Sequence, residues 1–278
     1  MFGGSTCSTP SLFEYCQKQL GLSDCQAYYR IAAARVGQRF PVIFELYAER
    51  GRPRTWSMHT RVTLWGTVIL LAVGIVTITA FEWSNPRTLG PLSLPQQLLA
   101  GAFQGVMPRT AGFNSVDYGA MRSESLTVTN VLMFIGGGSA GTSGGIKVTT
   151  FFLLAFVIWA EVRGEPDVTV GRRRIGTAAQ RQALTVALLG VACVAAGTLS
   201  LLVLTDHPLD RVLFEATSAF ATTGLSTGIT SQLPASGQLI LVLLMFLGRV
   251  GTITVASAIA LRPRGRRYRL PEERPIVG

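Results

Sequence analysis

Charge is scarce in this 278-residue chain. Asp, Glu, Lys and Arg together make up 14% of it, against roughly 25% in an ordinary soluble protein. Histidine is scarcer still: His59 and His207 stand far apart on opposite sides of apolar stretches, so they cannot build a metal site together. No two carboxylates pair within an apolar stretch, which leaves no acid–base couple for hydrolytic chemistry. Cys7, Cys16 and Cys25 are evenly but widely spaced, whereas a zinc site wants closer pairs. Their basic surroundings point to the cytoplasmic side, where disulfides do not persist. The N-terminus carries no signal-peptide pattern.

What is abundant is apolar surface, with 48% hydrophobic residues and a mean hydropathy of +0.39. The runs 62–81, 183–205 and 239–261 are each about the 20 residues needed to cross a hydrocarbon core as helix. A fourth, Leu126 to Ala160, is longer and has a polar, glycine-rich centre. It reads as a span that must cross without staying continuously helical.

Two short pieces repeat in register. Thr110, Ala111, Gly112, Phe113 and Asn114 answer to Thr222, Thr223, Gly224, Leu225 and Ser226; Leu132 to Gly136 answers to Leu244 to Gly248. From 110 to 222 and from 132 to 244 the offset is the same 112 positions, as a duplicated unit requires. Each copy has an apolar span, a short amphipathic stretch (96–108 and 209–221), a small-residue loop with Gly, and a second span. Irregular backbone at membrane depth is tolerated only where it lines a wet cavity or is buried in protein. The loops are therefore either carbonyl-lined ion sites or re-entrant turns that merely pack.

The net charge of +10 is distributed by side. Eight Lys and Arg lie in 1–61, five in 161–182 and six in 262–278, while 82–125 and 206–238 hold only Arg87, Arg109, Arg122 and Arg211. Bases on alternate sides follow the positive-inside rule. The N-terminus, the 161–182 loop and the C-terminus are predicted to be cytoplasmic, with the glycine loops opening outward. No basic face interleaved with aromatics appears, so nucleic acid is not an expected partner; the basic tail is read instead as lying near membrane lipid.

The segments Met107 to Asp117, Leu132 to Lys147, Phe214 to Thr230 and Leu247 to Thr252, together with Phe40 to Ile43 and Ser57 to Thr60, resemble the third and fourth repeats of the membrane subunit of the Trk/Ktr potassium transporter family. The resemblance covers roughly 37–265. It implies an all-α integral membrane protein built from helix–pore-loop–helix repeats, of which this chain holds two, with about four spans and one broken helix. By resemblance, Thr110 to Asn114 and Thr222 to Ser226 are two of four filter strands. Gly136, Gly137, Gly138, Ser139, Ala140, Gly141, Thr142, Ser143, Gly144 and Gly145 form a gating loop, followed by Lys147, and Arg249 stands at a barrier position in the last span. The resemblance further implies bacterial plasma-membrane location, a homodimer, a cytoplasmic nucleotide-binding regulatory subunit as partner, and no cofactor beyond the transported potassium, with sodium dependence left open.

The residues themselves also single out Arg249, because a charge inside an apolar span is expensive and usually faces a cavity or a partner. It aligns with Gly137 at the repeat offset. Pairing with a carbonyl for packing alone is the bland alternative. Lys147 suits gating or snorkelling to the interface equally. Glu215, which matches an acid of the family, reads as a packing and hydrogen-bonding residue, with favouring cations at the mouth as its alternative role, and Gly101-x-x-x-Gly105 as a weak close-packing signal. One decoy is Gly136-x-Gly138-x-x-Gly141, a dinucleotide fingerprint with Glu161 about twenty residues on. A soluble dinucleotide-binding enzyme fails on context: Thr149 to Ala160 is too apolar for an amphipathic helix, and no strand–helix series flanks it.

The expected organisation is an unassigned segment 1–36, a cytoplasmic approach 37–61, a first repeat 62–160, a cytoplasmic loop 161–182, a second repeat 183–261 and a basic tail 262–278. Residues 1–36 do not resemble the family, and Gly37 to Arg39 replace expected small, apolar residues. The expectation drawn is a truncated transporter carrying foreign N-terminal residues, which makes a non-conducting fragment the alternative to a potassium transporter.

Overall fold

The computed structural model describes residues 42, 45, 56–109, 111–138, 144–165, 167–170 and 173–251. Residues 1–36, the 262–278 tail, Thr110 and Ser139 to Ser143 lie outside the described residues.

The first span, α1 (Met58–Glu82), starts where Ser57 caps it by accepting from the Thr60 amide at 3.2 Å. Its 25 residues reach about 37 Å at 1.5 Å per residue, enough for a hydrocarbon core of about 30 Å. Thr63, Gly66, Leu70, Gly74 and Ile78 form its buried stripe, while Val68, Ile69, Val73 and Val76 are exposed. Hydroxyls inside the spans are satisfied locally: Thr63 and Thr77 each donate to a carbonyl four residues back, which lets polar side chains sit on an apolar helix. Before the span, burial alone would raise the Glu45 carboxyl. Hydrogen bonds from the Thr60 hydroxyl and from Ser57, with His59 nearby, hold it below the usual carboxylate range instead.

Helix α2 (Leu94–Val106) turns back against α1. A Cβ on Gly101 would stand 2.3 Å from the Thr79 hydroxyl, and one on Gly105 would stand 2.6 Å from the Ile75 backbone. The Gly-x-x-x-Gly signal is thus a close helix contact. Next come α3 (Ser123–Phe134) and α4 (Val148–Val162), the two halves of the span expected to break. The chain leaves at Ile135 and returns at Ile146, and the two ends are stitched by Gly136 N–H to Ile146 O at 2.8 Å and Ile146 N–H to Phe134 O at 3.0 Å.

The 161–182 loop holds a feature that its charge did not announce, a two-stranded antiparallel ribbon of β1 (Thr169–Val170) and β2 (Arg173–Arg174). Helix α5 (Thr177–Leu204) is the second long span. Helix α6 (Leu209–Ala221) has the bounds read from the sequence. Helix α7 (Ala235–Phe246) passes into a π-helical turn, Leu247–Gly251. Leu201, Val212, Ala216, Leu241 and Leu244 close one core among α5, α6 and α7; Tyr118, Met133, Phe214 and Leu225 close another between the repeats.

Candidate functional site

Each short helix is followed by a glycine turn, and the two turns face each other. After α2 the chain folds back, with the amides of Ala111 and Gly112 reaching Met107 O at 3.3 and 3.5 Å, and Gly112 takes φ +73°. After α6, Thr222 ends the helix in the left-handed region at φ 53°, Thr223 N–H bonds Ser218 O at 3.0 Å, and Gly224 takes φ +88°. Positive φ costs glycine nothing sterically. The two turns meet backbone to backbone: a Cβ on Gly112 would stand 2.3 Å from the Thr223 carbonyl oxygen. The aligned neighbours differ, since Phe113 is 69% exposed and Leu225 only 3%.

Polar side chains of the short helices hold the outgoing strands. Buried Glu215 accepts from the Ser226 hydroxyl (2.7 Å), the Thr227 amide (2.9 Å) and hydroxyl (3.1 Å), and the Thr230 hydroxyl (2.7 Å). In the first repeat Gln104 takes this place more weakly, accepting from the Ser115 amide and hydroxyl at 3.3 Å each. A third group, Glu82, is fully buried at the end of α1 and accepts from Asn85, Thr88, Ser125 and the Arg122 amide. It ties the C-terminal end of α1 to the start of α3. Between the repeats, Tyr118 packs on Phe214 with ring centroids 5.2 Å apart.

Below the turns, the break in the first repeat reaches the second. Gly144 N–H donates to the Thr222 hydroxyl at 3.1 Å, and a Cβ on Gly144 would stand 2.9 Å from Ala221 carbonyl atoms. Gly145 takes φ +70°; Gly136 and Gly138 border the break, Gly137 O accepts from the Val148 amide at 3.3 Å, and half-buried Lys147 precedes α4. Arg249 is exposed and lines a cleft of about 640 Å3 shared with Thr222, Gly224, Leu225, Ser226 and Glu215. The structure therefore brings Gly112, Thr222 to Ser226, Gly144 and Arg249 together. Thr110 and Ser139 to Ser143 belong to the same segments but fall outside the described residues.

Glu82, Gln104 and Arg109 were not singled out from the sequence. Arg109 turns away from the loop it precedes and donates to Thr67 O of α1 at 3.0 Å. For Gln104 a polar residue within the apolar second half of the short helix was the available signal; Glu82 looks like the mere end of a span.

The chain has known relatives. The chain is 40% identical over 224 residues to the Ktr system potassium uptake protein B of Bacillus subtilis, covering 81% of this chain and 50% of that one. It is 33% identical to the potassium/sodium uptake protein NtpJ of Enterococcus hirae, covering 82% and 51%. In fold it is similar to the crystal structure of the potassium transporter TrkH from Vibrio parahaemolyticus, with a TM-score of 0.55, 20% identity, and coverage of 81% of this chain and 49% of that one. The chain spans about half the length of the relatives it matches. Residues 36–268 match the family described as TrkH, cation transport protein, and the chain is a helical membrane protein that belongs to this family.

Proposed function

We propose that this chain moves potassium down its electrochemical gradient into a bacterial cell, along a path lined by backbone carbonyls of 110–114 and 222–226. The observation that carries the reading is the meeting of two left-handed glycine turns, with Gly112 too close to the Thr223 carbonyl for any side chain. Carbonyls held this way can replace an ion's hydration shell. The names of relatives in Bacillus subtilis and Enterococcus hirae support potassium as the ion, and the second brings in sodium.

The remaining roles follow on the same reading. The Gly136 to Gly145 loop, which touches Thr222 through Gly144, gates the path from below with Lys147 beside it. Arg249, which lines the same cleft as Gly224, raises an electrostatic barrier. Basic residues place the N- and C-termini in the cytoplasm, where a nucleotide-binding regulatory subunit docks. Two strands supply half of a fourfold ring; a second copy related by a twofold axis supplies the rest. A non-conducting fragment is the second reading, favoured by the chain spanning about half the length of the relatives it matches.

Potassium-limited growth of an uptake-deficient bacterium expressing the full chain separates them. Rescue is expected, and Gly112→Ser is expected to lower potassium preference over sodium at least about tenfold, a shift of about 1.4 kcal/mol, in flux measurements. Unchanged selectivity would refute the filter assignment, and absence of rescue despite membrane expression would favour the fragment.

A further inference from the structure

Away from the ion path, the described residues enclose a second cleft of about 390 Å3 between the start of α1, the face of α4 and the β1–β2 ribbon. That volume lies within the range of roughly 300–1,000 Å3 usual for small-molecule sites. Val62, Leu153 and Phe156 give it an apolar lining and Arg173 and Arg174 a basic one, with the His59 imidazole as a further polar group. The ribbon that carries the arginines is a fixed platform: Val168 and Ile175 are buried with Ala160, and Met58, Leu153 and Phe156 pack against them.

The basic wall has charge to offer. Arg174 pairs with Asp167 at 2.9 Å, but both side chains are largely open to solvent, where such pairs contribute little. Arg173 is exposed and makes no ion pair among the described residues. Glu45, the carboxylate near this end of α1, is engaged by the Ser57 and Thr60 hydroxyls. The cleft opens at the start of α1 and runs along α4 from Thr149 to Phe156, and Trp159, 59% exposed with Arg163 stacked 4.7 Å from its ring centroid, stands one turn beyond Phe156. Tryptophan favours the membrane–water interface.

We propose that this cleft binds the phosphate headgroup of an anionic phospholipid, with the phosphate between Arg173, Arg174 and His59 and the first methylenes of an acyl chain along Val62, Leu153 and Phe156. A soluble phosphate would satisfy the arginines but leave the apolar wall uncovered. A basic pocket beside membrane spans on the cytoplasmic face suits an anionic headgroup. The site rests on the membrane placement and orientation given above, not on ion passage, so its failure and a failure to conduct are read separately.

The test is native mass spectrometry of the full chain purified in mild detergent and titrated with short-chain phosphatidylglycerol, phosphatidylcholine and glycerol phosphate. Phosphatidylglycerol is expected to bind at least tenfold more tightly than phosphatidylcholine. Arg173→Gln/Arg174→Gln is expected to weaken it by roughly 10- to 30-fold, given the contribution of each basic side chain near a membrane surface. Arg173→Gln alone, which leaves the Asp167 pair intact, should give part of that loss; Arg163→Gln/Arg181→Gln, outside the cleft, should change binding less than about twofold. Equal binding of the two lipids, wild-type affinity in the double variant, or an equal loss in the control pair would overturn the site. Displacement of the lipid by millimolar glycerol phosphate would overturn lipid as the ligand in favour of a soluble phosphate.

Discussion

The two repeats share one plan and differ in what surrounds them. In the second, α6 is wedged among α3, α5, α7 and the π-helical turn, and Phe214 to Ala221 are all buried. In the first, α2 rests mainly on α1 and exposes Leu94, Leu98, Leu99, Phe103 and Val106. The spans that follow also differ at one aligned place. At Gly136 the first repeat leaves the helix for a loop, whereas at Gly248 the second stays helical and widens into a π turn. Both devices do the same work, since Gly144 of the loop and Gly248 of the turn each press against the carboxyl end of α6. Small residues there let two backbones approach where the last carbonyls of a helix lack partners. The duplicated unit has thus become a clasp: α6 is the gripped element, and the first repeat supplies one of the two jaws.

The aligned glycines offer the largest break in this comparison. A Cβ at Gly248 would fall 1.8 Å from Phe220 O, on helical backbone that cannot retreat; at Gly136 it would fall 2.4 Å from Gly144 O, in a segment outside any helix. Gly248→Ala is expected to destabilise by more than about 3 kcal/mol and to abolish monodisperse protein in detergent. Gly136→Ala should cost about 1–3 kcal/mol by backbone adjustment. Equal thermal-unfolding midpoints for the two variants would show that the two jaws are equally rigid.

The carboxylate and the amide that hold the outgoing strands give the next effect. Glu215 serves four donors at up to 3.1 Å and Gln104 two at 3.3 Å, and hydrogen bonds to charged groups are the stronger kind. Glu215→Ala should cost about 3 kcal/mol and Gln104→Ala about 1 kcal/mol. Amide hydrogen exchange is the direct readout: Thr227 should lose protection in the first variant, and Ser115, less strongly, in the second. Loss at Ser115 matching that at Thr227 would erase the distinction between the repeats.

How much of this was legible depends on whether the information is local. The spans α1 and α5 were, because apolar runs of membrane length leave few alternatives; the run 239–261 is described only as far as 251. The bounds of α6 were read in full, and those of α2 within two residues. The break after Phe134 was legible because a run of small residues cannot sustain a helix. The glycine turns were visible as a repeat, though their contact, Gly112 against Thr223, needs the tertiary fold. Glu82 was not legible, since its partners Asn85, Thr88, Arg122 and Ser125 converge only when α1 and α3 are packed. Neither was the ribbon, whose four residues are too short for a period and whose arginines had already been read as an orientation signal.

Arg249 gives the smallest effect on stability and the sharpest contrast between the copies, because its aligned position in the first repeat is Gly137. Its side chain is exposed in the cleft beside Gly224, so truncation leaves no buried donor unmatched. Arg249→Ala should shift stability by no more than about 0.5 kcal/mol while raising potassium flux in reconstituted vesicles, as the proposed barrier role of its charge requires. Arg249→Lys should keep wild-type flux, because it keeps the charge and changes only the shape. If instead Arg249→Ala lowers the unfolding midpoint as far as Glu215→Ala does, the arginine is part of the clasp on α6, and the asymmetry between the repeats is one of packing rather than of electrostatics.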